Sequence, residues 1–560
     1  MRHAPERVAV GRRAGHGAAL GGPALAWQVL AVLAVWAFLL ALHWGNDGLW
    51  YQGDSSRHAA NGLFWWDFLD RFPTNPLGFA LSYYARYPVI NPTSWPPLFY
   101  LLEGAGYRIF GVSPFVAKGL VLLFVLVATL YLLAWLRRWV GPSAGWAALL
   151  LPLQPGIVEW GHAVMLNVPS MALAVAALYH WRRWLEAPRS RHLEVAAALA
   201  VAAVLTYAAV AVIALVMLVW ALAEGRGRAL IAPRPVLVGM VAAIPVVAWA
   251  VVAFRWAPTH QAVALYAGDY PPWKLAGWTY YPEHFFRLVT MPLLLAALLA
   301  LAVGLLRGRA RREIRLLLLW FAVCYTWFSI ITIKEARYVL LLVPPLVVLG
   351  AVGIREAMRL LVAVVHRPAA RLVPVALLAM LVLHVGLAAA VPVRRVEGFR
   401  EIVDWVDQNV PDGRVFYEGF YSGVFTFYVR REDPGWHRAV TLGSKLLYGT
   451  KISPRFGLVE HVHGVADVRP LLAACGCRYL LVEREISSPD VDFPAVRTLR
   501  AALRGPGFRL VRSFPVHTGG DVTAVDVYEL LDPPSGRTVL DLKFPVLGDD
   551  VHFEVTPIQR

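Results

Sequence analysis

Asp54 stands in the run YQGDSSRHAANGLFWWDF, only about ten residues beyond the first long apolar stretch of the chain. A carboxylate held that close to a membrane surface can act as a general base, because partial burial and a neighbouring anion both raise its pKa towards neutrality. The same residue could instead sit in a solvated loop or cap the helix that SSRHAANG suggests. Lys334 and Arg337 open ITIKEARYVLLLVPPL (331–346), where a polar turn enters a long apolar helix. Fixed cations at such a boundary are costly unless an anion or water compensates them, so the position suits a lipid-linked phosphate. A snorkelling pair that anchors a helix end, with Glu335 neutralising one cation, is the competing reading. Tyr338 could donate a hydrogen bond to the same phosphate or serve as an interfacial aromatic anchor.

A second group, Glu159, His162 and Asn167, falls in the short run EWGHAVMLNVP. Glu159 and His162 could contact a sugar or assist the base; a lone histidine in such a turn is also an ordinary hydrogen-bonded residue. Asp67 and Asp70 beside Trp65 and Trp66 make an aromatic and acidic patch, for which an amphipathic helix at the interface is the default reading; the aromatic stretch 255–287 offers sugar-stacking faces, but an aromatic belt at headgroup level accounts for most of it.

The elements that must position these residues follow from composition. The chain has 560 residues, 58% apolar, 12% aromatic and only 16% charged, which excludes an ordinary soluble globule. A net charge of +16 invites a nucleic-acid reading, but many arginines lie in short loops between apolar runs, where cytoplasmic loops collect them. No nucleic-acid partner is expected. Cys324, Cys475 and Cys477 are too few for a disulfide framework or a zinc site.

Apolar runs long enough to cross a bilayer occur near 24–43, 115–136, 143–160, 164–181, 193–223, 235–254, 288–306, 315–333, 338–354 and 372–391. Arginine-rich loops flank 193–223 on both sides, so it reads as two short passes turning near Thr206 and Tyr207, giving about eleven spans. The expected organisation is a basic cytoplasmic tail over 1–23, retained without cleavage, a transmembrane region over 24–391 with a first outer loop over 44–114, and an extracytoplasmic α/β domain over 392–560. All candidate chemical groups then share the outer face of the plasma (inner) membrane. Within the first loop, WPPLFYLLEGAGYRIF (95–110) reads as an interfacial helix started by Pro96 and Pro97. In the last domain, GFREIVDWVDQNV and VRPLLAAC read as helices; RVFYEG, FTFYVRR, YLLVERE, FRLVRSFPV and AVDVYEL read as strands.

An acidic residue soon after the first span, the segment WPPLFYLL, a short turn leading into VPSMALAVAALYHWRRWL, and KEARYVLLLVPPL occur in one order on one face. In this the chain resembles the C-type (GT-C) integral membrane glycosyltransferases, most closely the protein O-mannosyltransferase and lipid A aminoarabinose transferase group, over most of residues 24–391. The resemblance implies transfer of a sugar from a polyprenyl-phosphate carrier, with inversion, to a lipid, protein or glycan acceptor. It carries the base role onto Asp54 and carrier-phosphate recognition onto Lys334 and Arg337, with Tyr338 as a helper. Where relatives commonly follow the first-loop aspartate with Glu, Ser55 stands here, and Asn167 replaces an acidic residue in the second turn. The scheme calls for no metal and no cofactor. A lipid or lipid-linked sugar flippase, or a non-catalytic envelope scaffold, would be the alternatives. A flippase expects polar residues through the middle of several spans, and these spans are poor in them.

Overall fold

The computed structural model describes residues 23–42, 48–49, 53–257, 268–307, 311–364, 372–450, 458–485, 492–519, 521–531, 541–543 and 552–554. The basic tail 1–22 and parts of the 255–287, Arg307–Arg315 and Arg355–Arg371 loops lie outside the described residues. What is described is mostly helical, with a sheet domain at the C-terminal end.

Among the described residues, five helices are long and apolar enough to cross a membrane: Pro23–Leu42, Pro114–Val140, Pro233–Trp256, Arg312–Ile330 and Ala336–Arg359. A sixth results if Leu275–Arg287 and Met291–Val303, bent by 119°, count as one. Pro233–Trp256 shows how they face lipid: Leu237, Met240, Ile244 and Val251 are each more than 57% exposed, an apolar surface that only a bilayer or another apolar body covers.

Between α1 (Pro23–Leu42) and α5 (Pro114–Trp135), the first loop folds into α2 (Gly53–Arg71), α3 (Pro76–Arg86) and α4 (Leu98–Phe110). Pro97 occupies the N-cap of α4, as the proline pair predicts, where the missing N–H costs nothing. The chain makes α2 and α4 cross closely through two glycines. A Cβ on Gly104 would fall 3.1 Å from the Gly62 carbonyl, and one on Gly62 would strike the Glu103 carboxyl.

The expected span 143–160 is not one helix. It is a 3₁₀ segment, Pro142–Leu150, then a turn, then α6 (Pro155–Gly161). Pro155 lacks a donor and forces Gln154 into an extended conformation, φ −72° and ψ 139°, so the helix breaks there. The Gln154 side chain repairs the gap: its amide donates to the Leu150 carbonyl at 2.8 Å, and its oxygen accepts from the Thr290 N–H at 2.9 Å.

Next come α7 (Asn167–Glu186), α8 (His192–Thr206) and α9 (Val212–Ala223). The break between the last two falls at Thr206–Tyr207, as read from sequence. It sets the Tyr207 ring 6.2 Å from that of Tyr338. The ends of the pair away from the break return to the arginine-rich loops, where Glu194 meets Arg234 and Glu224 meets Arg315 at 3.4 Å. At that same end Arg182 and Glu313 form a buried two-bond pair, 2.6 and 2.5 Å, with Trp135 donating to the same carboxylate.

The C-terminal domain carries a six-stranded mixed sheet in the order β1-β7-β8-β6-β2-β3, beside a two-stranded antiparallel pair of β4 (Tyr448–Thr450) and β5 (Leu458–Glu460). β2 (Gly413–Glu418) lies parallel to both β3 (Arg438–Leu442) and β6 (Cys477–Glu483). β7 (Phe508–Thr518) and β8 (Asp521–Leu530) form an antiparallel hairpin against β6, and β1 (Val396–Glu397) pairs with β7. The helices Phe399–Asn409 and Val465–Ala474 are as the sequence predicts. FTFYVRR is not a strand: it lies within the helix Ser422–Glu432. Its aromatic and β-branched residues are buried at every position from Gly423 to Arg430, and the helix packs along α2, so tertiary burial overrides strand propensity.

Candidate active site

The segment leading to Asp54 is tied down before the helix begins. Lys118 donates to the Gly48 carbonyl, and the Val396 N–H of the C-terminal domain donates to the Leu49 carbonyl at 2.8 Å, so that Leu49 bridges onto the edge of the sheet. Asp54 then occupies the first turn of α2, where the helix dipole favours an anion. The next residue, Ser55, accepts a hydrogen bond from the Val164 N–H at 3.1 Å, which locks α2 to the turn before α7.

The cationic turn comes from the opposite side of the chain. Arg337 is 6% exposed, and its Nη2 donates to Asp54 Oδ2 at 3.2 Å. Its guanidinium also lies 3.7 Å from Glu335, 5.3 Å from the Trp160 ring centre and 5.6 Å from that of Tyr338. Arg337, Tyr338 and Asp54 are thus brought together.

Lys334 is used differently. Its ammonium donates to the carbonyls of Phe328, Ser329 and Ile331 at 2.6, 2.7 and 2.6 Å, which occupies all three donors. Phe328 and Ser329 lie in the last turn of the helix Arg311–Ile330 and Ile331 directly follows it, so Lys334 closes that helix. Burial lowers its pKa to about 8, and its charge faces the Tyr281 ring at 5.2 Å.

Glu159 and His162 stand on α6 and its C-cap. His162 places Nδ1 2.7 Å from the Val158 carbonyl and Nε2 2.9 Å from that of Leu39, pinning α6 to the end of α1. Glu159 is partly exposed, and the charges acting on it are Arg394 and Arg287. It is Trp160, between them, that meets Arg337; the spacing drew attention to the polar neighbours and not to the aromatic one.

Sequence reasoning also passed over His58, one turn beyond Asp54 on the same face of α2. It is buried, with Nδ1 2.7 Å from the Tyr100 hydroxyl and its ring 4.9 Å from that of Trp95. Burial, and then the cations Arg337 and Arg57, lower its pKa to about 4 against the opposing pull of Asp54, so the imidazole is neutral. The i, i+4 spacing of Asp54 and His58 was the available signal.

Thus Asp54 sits between a buried guanidinium and a neutral imidazole, at 36% side-chain exposure. The arrangement can bind an oxyanion at Arg337 and take up a proton beside it.

The family described as dolichyl-phosphate-mannose-protein mannosyltransferase matches residues 94–251, a stretch that includes α4 to α9 but neither Asp54 nor Arg337. Two crystal structures of ArnT from Cupriavidus metallidurans superpose over 90% of this chain and 97% of theirs, both at 16% identity. The apo state has a TM-score of 0.60 and the form bound to undecaprenyl phosphate 0.57. The fold is that of the GT-C glycosyltransferases. The oligosaccharyltransferase AglB from Archaeoglobus fulgidus, solved with an inhibitory peptide and a dolichol-phosphate, matches this chain at 12% identity and a TM-score of 0.50, over 82% of this chain and 69% of its own. At these identities the likeness is one of fold. A search of curated protein sequences gave no match. The resemblance to the protein O-mannosyltransferase and lipid A aminoarabinose transferase group therefore stands on the family match and the fold together. The protein is a membrane protein, with apolar helices long enough to span.

Proposed function

We propose that this protein is a glycosyltransferase that moves a sugar, with inversion, from a polyprenyl-phosphate carrier to a lipid, protein or glycan acceptor outside the cytoplasm. The observation that carries the reading is the Arg337–Asp54 contact at 3.2 Å, which joins a phosphate-seeking group to a proton acceptor at one point. The GT-C fold and the polyprenyl phosphates bound in its structural neighbours support it.

In the reaction, Asp54 takes the proton from an acceptor hydroxyl or amine. The freed lone pair attacks the anomeric carbon from the face opposite the phosphate. That new bond forms as the carbon–oxygen bond to phosphate breaks, and the polyprenyl phosphate leaves with the electron pair. Charge grows on the leaving phosphate in the transition state, so Arg337 stabilises that state more than the ground state. Tyr338 and Trp160 flank the guanidinium and hold its orientation. Lys334 contributes through the turn it closes and through its field, and Glu159 and His162 shape the wall behind Trp160. No metal or cofactor enters this scheme.

The topology that goes with it is about eleven spans in the plasma (inner) membrane, the N-terminus cytoplasmic and residues 392–560 extracytoplasmic. The return of Glu194 and Glu224 to the arginine-rich loops supports two passes over 192–223.

The test is sugar transfer by the purified, reconstituted protein from a set of polyprenyl-phosphate sugars, with cysteine labelling of positions 54 and 334 in sealed vesicles. Transfer with both positions labelled from outside supports the reading. Labelling from opposite sides of the bilayer removes it.

A further inference from the structure

His58 leans over the turn of α2 that carries Asp54. The two residues are four apart on one helix, and Cα–Cβ bonds in a helix tilt towards its N-terminus, so the imidazole covers the turn before its own. The ring is held on two sides. Nδ1 lies 2.7 Å from the Tyr100 hydroxyl, and Trp95 stands edge-on with its ring centre 4.9 Å away. His58 and Tyr100 are 2% and 0% exposed, so each polar group they carry needs a partner inside the protein or in a ligand.

The available partners fix where the imidazole proton sits. Tyr100 has one O–H to donate, and an O–H buried without an acceptor costs more than an ordinary hydrogen bond contributes. His58 Nδ1 is the acceptor within reach. Asn61, the other polar neighbour of the Tyr100 oxygen, has its Oδ1 taken by the Asn91 N–H at 2.9 Å and turns N–H groups towards the phenol. Tyr100 therefore donates to Nδ1, and the single proton of the neutral ring is on Nε2. Nε2 is the far end of the ring, and among the described residues it meets no acceptor. A buried side chain thus presents an unanswered N–H over the turn of Asp54, where an oxygen of a bound substrate can accept it.

We infer that His58 Nε2–H donates a hydrogen bond to a hydroxyl oxygen of the transferred sugar, with Tyr100 as the positioning residue that sets the tautomer. This deepens the reading of Asp54 as the base and rests on it. Arg337 already brings positive charge for the carrier phosphate. A neutral N–H adds direction without charge, which suits a hydroxyl better than a phosphate. A site built to hydrogen-bond one hydroxyl rejects the analogue that lacks it, because the buried donor is then left unpaired. His58 accordingly selects among carriers by the sugar they bear.

The test uses the full chain in lipid nanodiscs and compares initial rates from a polyprenyl-phosphate sugar with those from its deoxy analogues, each lacking one hydroxyl. Wild type should use one deoxy donor about tenfold more slowly than the parent. His58→Asn, whose amide reaches only the Nδ1 position, should transfer both at the slow rate. His58→Gln, whose amide reaches the Nε2 position, should keep the preference. A hydroxyl of the acceptor is the other source of the same chemistry, so acceptors lacking a hydroxyl form the parallel arm. A preference that follows the acceptor and not the donor overturns the inference, as does one that survives unchanged in His58→Asn. The tautomer is read without turnover, by NMR of the protein with nitrogen-labelled histidine, His58 being the one of sixteen signals lost in His58→Gln. A proton on Nε2 that spreads over both nitrogens in Tyr100→Phe is expected, and a wild-type proton on Nδ1 overturns the inference even if every variant fails to fold. Transfer that discriminates no hydroxyl sinks the contact alone, whereas a protein that transfers no sugar from any polyprenyl phosphate sinks the glycosyltransferase reading and the contact with it.

Discussion

Arg337 Nη2 lies 3.2 Å from Asp54 Oδ2, although 283 residues separate them in sequence. If this contact marks the reaction centre, Asp54→Asn keeps the shape and loses the base, and transfer should fall by about 10²–10⁴-fold. Arg337→Lys keeps the charge and loses the fork, and transfer should fall by about a hundredfold. Both are checked by initial rates from a radiolabelled polyprenyl-phosphate sugar. Wild-type rates in both variants would end the assignment.

Lys334 saturates three carbonyls at the end of Arg311–Ile330, so its loss should be felt first in stability. Lys334→Ala should lower the thermal midpoint and the transfer rate together, while the dissociation constant for polyprenyl phosphate stays within a few-fold of wild type. A large loss of carrier affinity in a protein of unchanged thermal midpoint would return Lys334 to the phosphate.

Asp67 and Arg430 are both buried, at 6% and 4% exposure. Removing one partner strands the other charge, so Asp67→Ala and Arg430→Ala should each cost about 3–5 kcal/mol. The apolar pair Asp67→Leu with Arg430→Met should recover much of that. Chemical denaturation of the three variants gives the coupling; strictly additive losses would mean that the pair is not a unit.

Glu103 is buried between α2 and α4, with one oxygen accepting from the Tyr107 hydroxyl at 3.1 Å and the other without a partner. Burial pushes its pKa well above the usual carboxylate range, so the folded protein keeps a proton that the unfolded chain gives up. Stability should therefore fall as pH rises from the ordinary glutamate value through the raised one. Glu103→Gln should flatten that slope. Thermal midpoints at a series of pH values, compared between wild type and variant, decide it; equal slopes would show that another group is responsible.

The sequence made Asp54 and Arg337 visible because each is a charge next to a long apolar run, and made the break at Thr206–Tyr207 visible because arginines flank the run at both ends. The amphipathic helix Phe399–Asn409 and the strands β2, β6, β7 and β8 were legible from periodicity alone. Other features depended on partners far away. That Lys334 also closes the end of Arg311–Ile330 was hidden, because the carbonyls it meets are backbone groups, which a sequence does not display. FTFYVRR looked like a strand because its helical state is fixed by burial along α2. The short run RAVTL, now β3, was too brief to stand out. His58 and Trp160 were each one step from a residue already singled out, and only the packing of α2 and α6 gave them a role.

The bond between Arg430 and Asp67 also sets an order of events during synthesis. A nascent chain that has already built α2 still carries an unmet carboxylate at Asp67 and an open edge at Leu49, and among the described residues their partners lie beyond 392. A prematurely terminated product would hold α2 without the domain that steadies it. Completion of the final third thus supplies the partners of Asp67 and Leu49 and steadies both ends of α2.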